Sequence, residues 1–198
     1  MTRIVLASKS APRAAILAGA GVAFETKGSG VDEEPLKAGW LAEGAAPRVV
    51  ARRLAAAKAQ AVSREDPDAL VIGADQTLEL EGVLYDKVAT LEEVRSRLEL
   101  LRGREHELHS ALAVARAGRV VWRFTESPKL TLRAFSPAWL DAYLARGGET
   151  LLGSVGCYML EGEGAQLFER IWGDYFAVLG LPLLPLLEFL RSQGALET

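Results

Sequence analysis

Three stretches of the chain gather side chains able to act on phosphates. The first is Leu6-Ala7-Ser8-Lys9-Ser10-Ala11-Pro12-Arg13, where an apolar run passes straight into a helix start carrying two hydroxyls and two cations. Free backbone N–H groups and the positive end of a helix dipole let such a turn hold an anion. The same residues also permit a plainer role, with Ser10 capping the helix while Lys9 and Arg13 face water. The second is Asp75-Gln76, directly after the apolar Val71-Ile72-Gly73-Ala74. A carboxylate at the end of a buried strand lies where open α/β sheets bind ligands. Partial desolvation there raises its pKa and suits it to general-base work or metal binding. A capping or salt-bridged aspartate is the alternative. The third is the glycine-dense run from Gly153 to Gly164, in which Glu161 closes an apolar segment much as Asp75 does. Glycines at that density allow close backbone approach or hairpin turns.

Outside these stretches stand Lys58, on the apolar side of an alanine-rich helix, and Lys87, in a loop after Tyr85-Asp86. Each is either a ligand or a surface lysine lying along apolar neighbours. Glu33 sits in an acidic group with Asp32 and Glu34. His106 and His109 are three apart in an extended run, so they face opposite sides, cannot chelate together and read as strand-surface residues. The chain carries no Walker loop, no dinucleotide fingerprint and no nucleophile-elbow serine.

The elements that must hold these residues follow from pattern. Ile4–Ala7 and Ala69–Ala74 are apolar runs suited to buried strands, the second bearing Asp75 at its end. Ser10 and Pro12 open a helix that Gly19 and Gly21 end, and Val22–Glu25 forms a second strand. Pro47 starts a long helix with Val50, Leu54, Ala57, Lys58 and Ala61 near one face. Thr90 and Glu93 make a capping box ahead of Val94, Leu98 and Leu101. Extended runs on either side of Ala117-Gly118 make a long hairpin between His106 and Phe135. Ser136-Pro137 begins a helix ended by Gly147-Gly148, Gly153–Leu181 alternates short strands with turns, and a terminal helix follows Pro182. The order of elements is α/β with a mixed sheet.

A chain of 198 residues without repeats or linkers suits one domain, 1–198, or one domain with two lobes. A net charge of −3 supplies no global field for nucleic acid, so an anion site must be built locally. The single cysteine, Cys157, excludes an internal disulfide and fits a reducing, cytoplasmic setting. The greasy stretch Phe176–Leu190 is broken by Gly180, Pro182, Pro185 and Glu188, and reads as core rather than membrane span.

Taken in order, Leu6-Ala7-Ser8-x-Ser10-x-x-Arg13, Val31-Asp32-Glu33, Ala57-Lys58-Ala59, Ile72-Gly73-Ala74-Asp75, Lys87, Leu101-Arg102-Gly103, Glu161-Gly162-x-Gly164 and Gly173-Asp174-Tyr175 through Gly180-Leu181-Pro182 resemble the Maf family over almost the whole chain. The resemblance implies an elongated mixed sheet flanked by helices, two lobes around a central cleft, and usually a homodimer. It implies divalent-metal-dependent hydrolysis of a nucleoside triphosphate to monophosphate and pyrophosphate, with Mg²⁺ first and Mn²⁺ or Co²⁺ as alternatives. The general base then maps onto Asp75, triphosphate contacts onto Ser8, Ser10, Arg13, Lys58 and Lys87, and the second acidic residue of the metal site onto Glu33. No nucleic-acid or membrane partner is implied.

Two departures stand out. The family commonly reads Ser-Pro-Arg-Arg where this chain has Ser10-Ala11-Pro12-Arg13, and Gly-Lys-Pro where it has Asp86-Lys87-Val88. A subgroup acting on dTTP and UTP carries arginine, threonine and glutamine where Pro12, Gln76 and Glu161 stand. Gln76 and Glu161 together resemble the subgroup acting on modified nucleotides, notably 7-methyl-GTP, and both residues are then substrate contacts. The family is also associated with arrest of septum formation, so a nucleotide-binding regulator with little turnover is the main rival. A phosphatase or kinase of another family, using the Ser8–Arg13 turn as a phosphate cradle, is the second.

Overall fold

The buried run that begins at Ala69 does not stop at Ala74. In the computed structural model, which describes residues 2–197, it continues as β3 (Leu70–Leu80), so Asp75 lies in mid-strand rather than at its end. The reason is pairing rather than local pattern: Asp75 to Glu79 lie opposite Ala111 to Glu107 of a later strand, which holds the three consecutive polar residues Asp75, Gln76 and Thr77 extended. Leu78 and Leu80 turn toward a hydrophobic core. Asp75 faces a lysine on a helix instead.

Strand β3 pairs antiparallel with β5 (Glu105–Arg116) from Val71 to Glu79, and this long ladder is the spine of an eight-stranded sheet. On the outer edge of β3, β1 (Ile4–Leu6) pairs parallel with Leu70–Ile72. Further along the same edge, β4 (Val83–Tyr85) pairs antiparallel with Leu78–Leu80. Between those two ladders, among the described residues, no strand pairs with residues 73–77 on that edge. The far edge of β5 is shared likewise, by β6 (Arg119–Glu126) at one end and β7 (Lys129–Leu132) at the other. Beyond them, β2 (Glu25–Thr26) flanks β1, and β8 (Phe168–Trp172) flanks β7.

Each half-sheet has its own hydrophobic core. Ile4, Leu17, Ile72, Leu112 and Leu186 belong to one, with α1 (Ala11–Gly19) and α7 (Leu183–Ser192) packed there. Leu78, Leu98, Leu130 and Leu140 belong to the other, under α4 (Leu91–Leu101) and α5 (Pro137–Gly147). The result is an elongated mixed sheet with two lobes meeting at the gap in the β3 edge.

Helix α3 (Pro47–Glu65) crosses the spine through a surface of alanines: Ala51, Ala55 and Ala59 against Ala111, Ala113 and Ala115. Side chains this small let helix and sheet approach closely. Gly73 marks the tightest point, since a Cβ there would lie 2.1 Å from the Ala55 carbonyl oxygen and 2.6 Å from the Ala59 nitrogen.

Several sequence expectations hold: the Ser10 cap, the Thr90–Glu93 capping box, and a tight β5–β6 turn with positive φ at Ala117 and Gly118. Others need correction. Val22–Glu25 is not a strand; Val22 is buried as a plug, and only Glu25–Thr26 pairs with β1. Gly153–Leu181 holds one strand, β8, among short 3-10 turns and the four-residue α6 (Tyr175–Val178). An additional helix, α2 (Glu33–Ala42), begins within the acidic group, with Asp32 at its N-cap and Glu33 and Glu34 in its first turn.

His106 and His109 do face opposite sides, but neither is at the surface: they are 1% and 3% exposed, because the middle of the sheet is covered on both faces. His106 Nε2 lies 2.6 Å from the Tyr158 hydroxyl, and burial lowers its pKa to about 4. His109 bridges Ser127 Oγ at 2.8 Å and Glu79 at 2.7 Å. Among the described residues no helix is long and apolar enough to cross a membrane.

Gly73→Ala should cost about 1–3 kcal/mol or more of unfolding free energy, the range for forcing volume into a packed core. Urea denaturation of the purified variant checks this, and unchanged stability would mean that α3 can move away from β3 at no cost.

Candidate functional site

The gap in the β3 edge opens into a cleft of about 690 Å³ between the lobes, a size suited to a small molecule. Ser8, Ser10, Arg13, Glu33, Lys58, Asp75, Gln76, Lys87 and Glu161 all line it. The structure therefore brings every candidate site residue to one cavity, from segments more than 150 residues apart.

At its floor, Asp75 is 6% exposed and Lys58 7%. Lys58 reaches Asp75 because α3 lies so close to β3, and its Nζ sits 2.7 Å from Asp75 Oδ1 and 2.8 Å from Glu33 Oε1. Glu33 comes from the first turn of α2. One ammonium thus stands between two carboxylates from different elements. Burial pushes the Asp75 carboxyl above its ordinary range, opposed by the positive charges of Lys58 and Arg13.

The Ser8–Arg13 turn does more than cap a helix. Ser10 accepts the Arg13 backbone N–H, and Ser8 Oγ accepts from the Ser10 backbone N–H at 3.2 Å and from Arg13 Nη1 at 3.4 Å. Arg13 also donates from Nη1 to the Ala74 carbonyl and from Nε to the Gly180 carbonyl, both at 3.0 Å. It thereby satisfies the β3 edge where no strand does. The Nη2 donors stay available to a ligand, so the residue is a clamp as well as a cation. Gln76 is similarly engaged: its NH₂ donates to Ser110 Oγ, Ala177 O and Val178 O, which leaves Oε1 as its unengaged group.

Lys87 is exposed beside the cleft. Loss of hydration, then the nearby positive charges of Arg13 and Lys58, lower its pKa. An anion beside these three cations would relieve that repulsion. Glu161 is exposed on the opposite segment, in a turn rather than at the end of a strand.

Sequence reasoning missed Lys37 and Arg97. Lys37 is 7% exposed, lines the cleft and pairs with Glu34 at 2.5 Å and Asp86 at 2.8 Å. The available signal was Asp86 itself, a carboxylate in place of the usual glycine, which called for a cation. Arg97, on α4, donates to the carbonyls of Asp86 and Val155. Its spacing from the capping box gave no hint of that reach.

The cleft lining holds Lys9, Arg13, Lys37, Lys58 and Lys87 against Glu33, Glu34, Asp75, Asp86 and Glu161, so its formal charges cancel. Among the described residues no group of three or more His, Cys, Asp or Glu side chains gathers to hold an ion unaided. The hard carboxylate oxygens of Asp75 and Glu33 fit a divalent cation whose shell is completed by phosphate oxygens and water. A cation also balances a triphosphate entering a cleft of no net charge.

Comparison with known proteins matches nearly the whole chain. The model of the family described as Maf-like protein matches residues 3–193. A nucleoside triphosphate pyrophosphatase of Caulobacter vibrioides is 59% identical over 196 residues, covering 99% of this chain and 98% of its own. One of Maricaulis maris is 52% identical over 197 residues, covering both chains fully. A 7-methyl-GTP pyrophosphatase of Rhizobium meliloti is 48% identical over 194 residues, covering 98% of each.

Replacing Lys58 by Gln removes the cation nearest Asp75, so the Asp75 carboxyl should titrate at higher pH than in the unsubstituted protein. Carbon-13 NMR of the side-chain carboxyls reads this directly; an unchanged or lower pKa would mean that Lys58 does not stabilise the Asp75 anion.

Proposed function

The chain belongs to the Maf-like protein family, and we propose on that footing that it hydrolyses nucleoside triphosphates between the α and β phosphates. The observation that carries the reading is the buried Asp75, set beside Lys58 and facing Arg13 and Lys87 across one cleft. Water adds to the α phosphorus, the bond to the bridging oxygen breaks, and pyrophosphate leaves with the electron pair. Asp75 orients the attacking water and takes its proton, work to which a carboxyl with a raised pKa is suited. Lys87 and the free Nη2 of Arg13 donate to phosphate oxygens, while Lys58 holds Asp75 and Glu33 in place. Asp75 and Glu33 would hold a divalent cation, Mg²⁺ first, which when bound would supply positive charge against the charge developing on the pyrophosphate leaving group.

Purified protein with GTP or UTP should yield monophosphate and pyrophosphate in equal amounts; release of orthophosphate with a diphosphate would overturn the proposal. Asp75→Asn keeps the shape but removes the base, so kcat should fall on the order of 10²–10⁴-fold. Binding of the triphosphate, measured separately, should change far less. Near-normal kcat in the folded variant, saturated with metal, would take Asp75 out of the chemistry.

For the base, we propose a guanine, in the form of 7-methyl-GTP. The name of the Rhizobium meliloti relative supports this, and so does the presence of both Gln76 and Glu161 in the cleft lining. A carboxylate only accepts hydrogen bonds, and guanine offers adjacent N1–H and N2–H donors on one edge. Uracil and thymine present carbonyls on either side of a single N–H, which a carboxylate leaves poorly satisfied. Methylation at N7 makes guanine cationic, which a nearby carboxylate favours. The kcat/KM values should rank 7-methyl-GTP above dTTP and UTP, and Glu161→Gln should narrow that gap. A preference for dTTP or UTP that the substitution leaves alone would remove this assignment and keep the pyrophosphatase one.

A further inference from the structure

Arg97 belongs to no part of the chemistry above, yet it touches two walls of the cleft at once. Its Nη1 donates to the Asp86 carbonyl at 3.0 Å and to the Val155 carbonyl at 2.7 Å. Its guanidinium carbon lies 4.8 Å from the centre of the Tyr85 ring, the last residue of β4. Among the described residues no carboxylate lies within ion-pair distance of Arg97. An arginine used this way acts as a two-pronged brace, since one planar group satisfies two backbone acceptors from segments about 70 residues apart in sequence.

The braced segments are the two ends of the proposed nucleotide site. Asp86 immediately precedes Lys87, on the phosphate side. Val155 lies in the segment that leads to Glu161, on the base side. Each is stiffened separately. Lys37 of α2 pairs with the Asp86 carboxylate at 2.8 Å, tying that loop to the helix that carries Glu33. In the other wall, the Ser154 hydroxyl and carbonyl accept the backbone N–H groups of Gly156 and Cys157, and the Tyr158 hydroxyl is held by buried His106 at 2.6 Å. Two stiff walls joined by one brace cannot be displaced independently.

We infer that Arg97 is a positioning residue that couples the phosphate side of the cleft to the base side, so that occupancy of one tightens binding at the other. This rests on the nucleotide reading above. A ligand that draws Lys87 inward moves Asp86, and the shared Nη1 carries the shift to Val155 and the wall bearing Glu161. Arg97 itself faces neither phosphate nor base in this scheme.

Pyrophosphate and guanosine separate the two ends. Both should compete with GTP, and at fixed Mg²⁺ the Kd of guanosine should fall about 5-fold or more when pyrophosphate is bound, the lower end of ordinary site-to-site coupling. Arg97→Met keeps an apolar stem over Tyr85 but removes the donors, so the factor should fall to near one while each ligand alone still binds. Independent binding in the unsubstituted protein overturns the inference without any variant, as does undiminished coupling in Arg97→Met. If neither ligand competes with GTP, the nucleotide reading fails first and this inference with it; if both compete but bind independently, only this inference fails.

Discussion

Helix α3 can lie on β3 at one separation only, because the surfaces between them are built from alanine and glycine. Any larger residue at Gly73 would meet the backbone of Ala55 and Ala59. That separation sets the reach of Lys58, which is two turns from the start of the tight contact and must meet a carboxylate on the strand beneath it. Thr77 reinforces the arrangement by donating to the Pro47 carbonyl at 3.1 Å, which pins the beginning of the helix two residues beyond Asp75. Without the close approach, the Asp75–Lys58–Glu33 group would be exposed, hydrated and no longer fixed in direction.

The sheet topology supplies the second constraint. Because β1 and β4 occupy different stretches of the same β3 edge, a break lies between them, and backbone groups there need partners other than a strand. Arg13 meets that need at Ala74 and, through Gly180, ties in the segment after α6. The cost of leaving such groups unpaired keeps the guanidinium in place, and the same placement aims its remaining donors at the cleft. A structural requirement and an anion-binding one are thus met by a single side chain, which is why the capping and ligand readings of this turn do not exclude each other.

Much of this was legible in the sequence where local chemistry is decisive. The cap at Ser10, the capping box at Thr90, the turn at Ala117-Gly118 and the alanine-rich helix each depend on residues close in sequence, and they appear as expected. The candidate site residues taken from the ordered motifs all line one cleft, because their order along the chain follows the family pattern they resemble. What failed depends on distant partners. Nothing local tells that β3 runs on past Asp75, since its continuation is stabilised by pairing with β5 some 36 residues later in sequence. The histidines looked superficial because their partners, Tyr158 and Glu79, are distant in sequence. Lys37 and Arg97 escaped for the same reason: Lys37 reaches Asp86, and Arg97 reaches Asp86 and Val155, residues that no helical or strand period connects to them.

The most direct measurement is a crystal structure with Mg²⁺ and the α,β-methylene analogue of GTP, which cannot be cleaved at the bond in question. The account predicts the analogue in the cleft with its α phosphorus beside Asp75, its outer phosphates against Lys87 and Arg13, and guanine toward Glu161. A nucleotide bound with the phosphates on the Glu161 side, or with Asp75 remote from the α phosphorus, would contradict it.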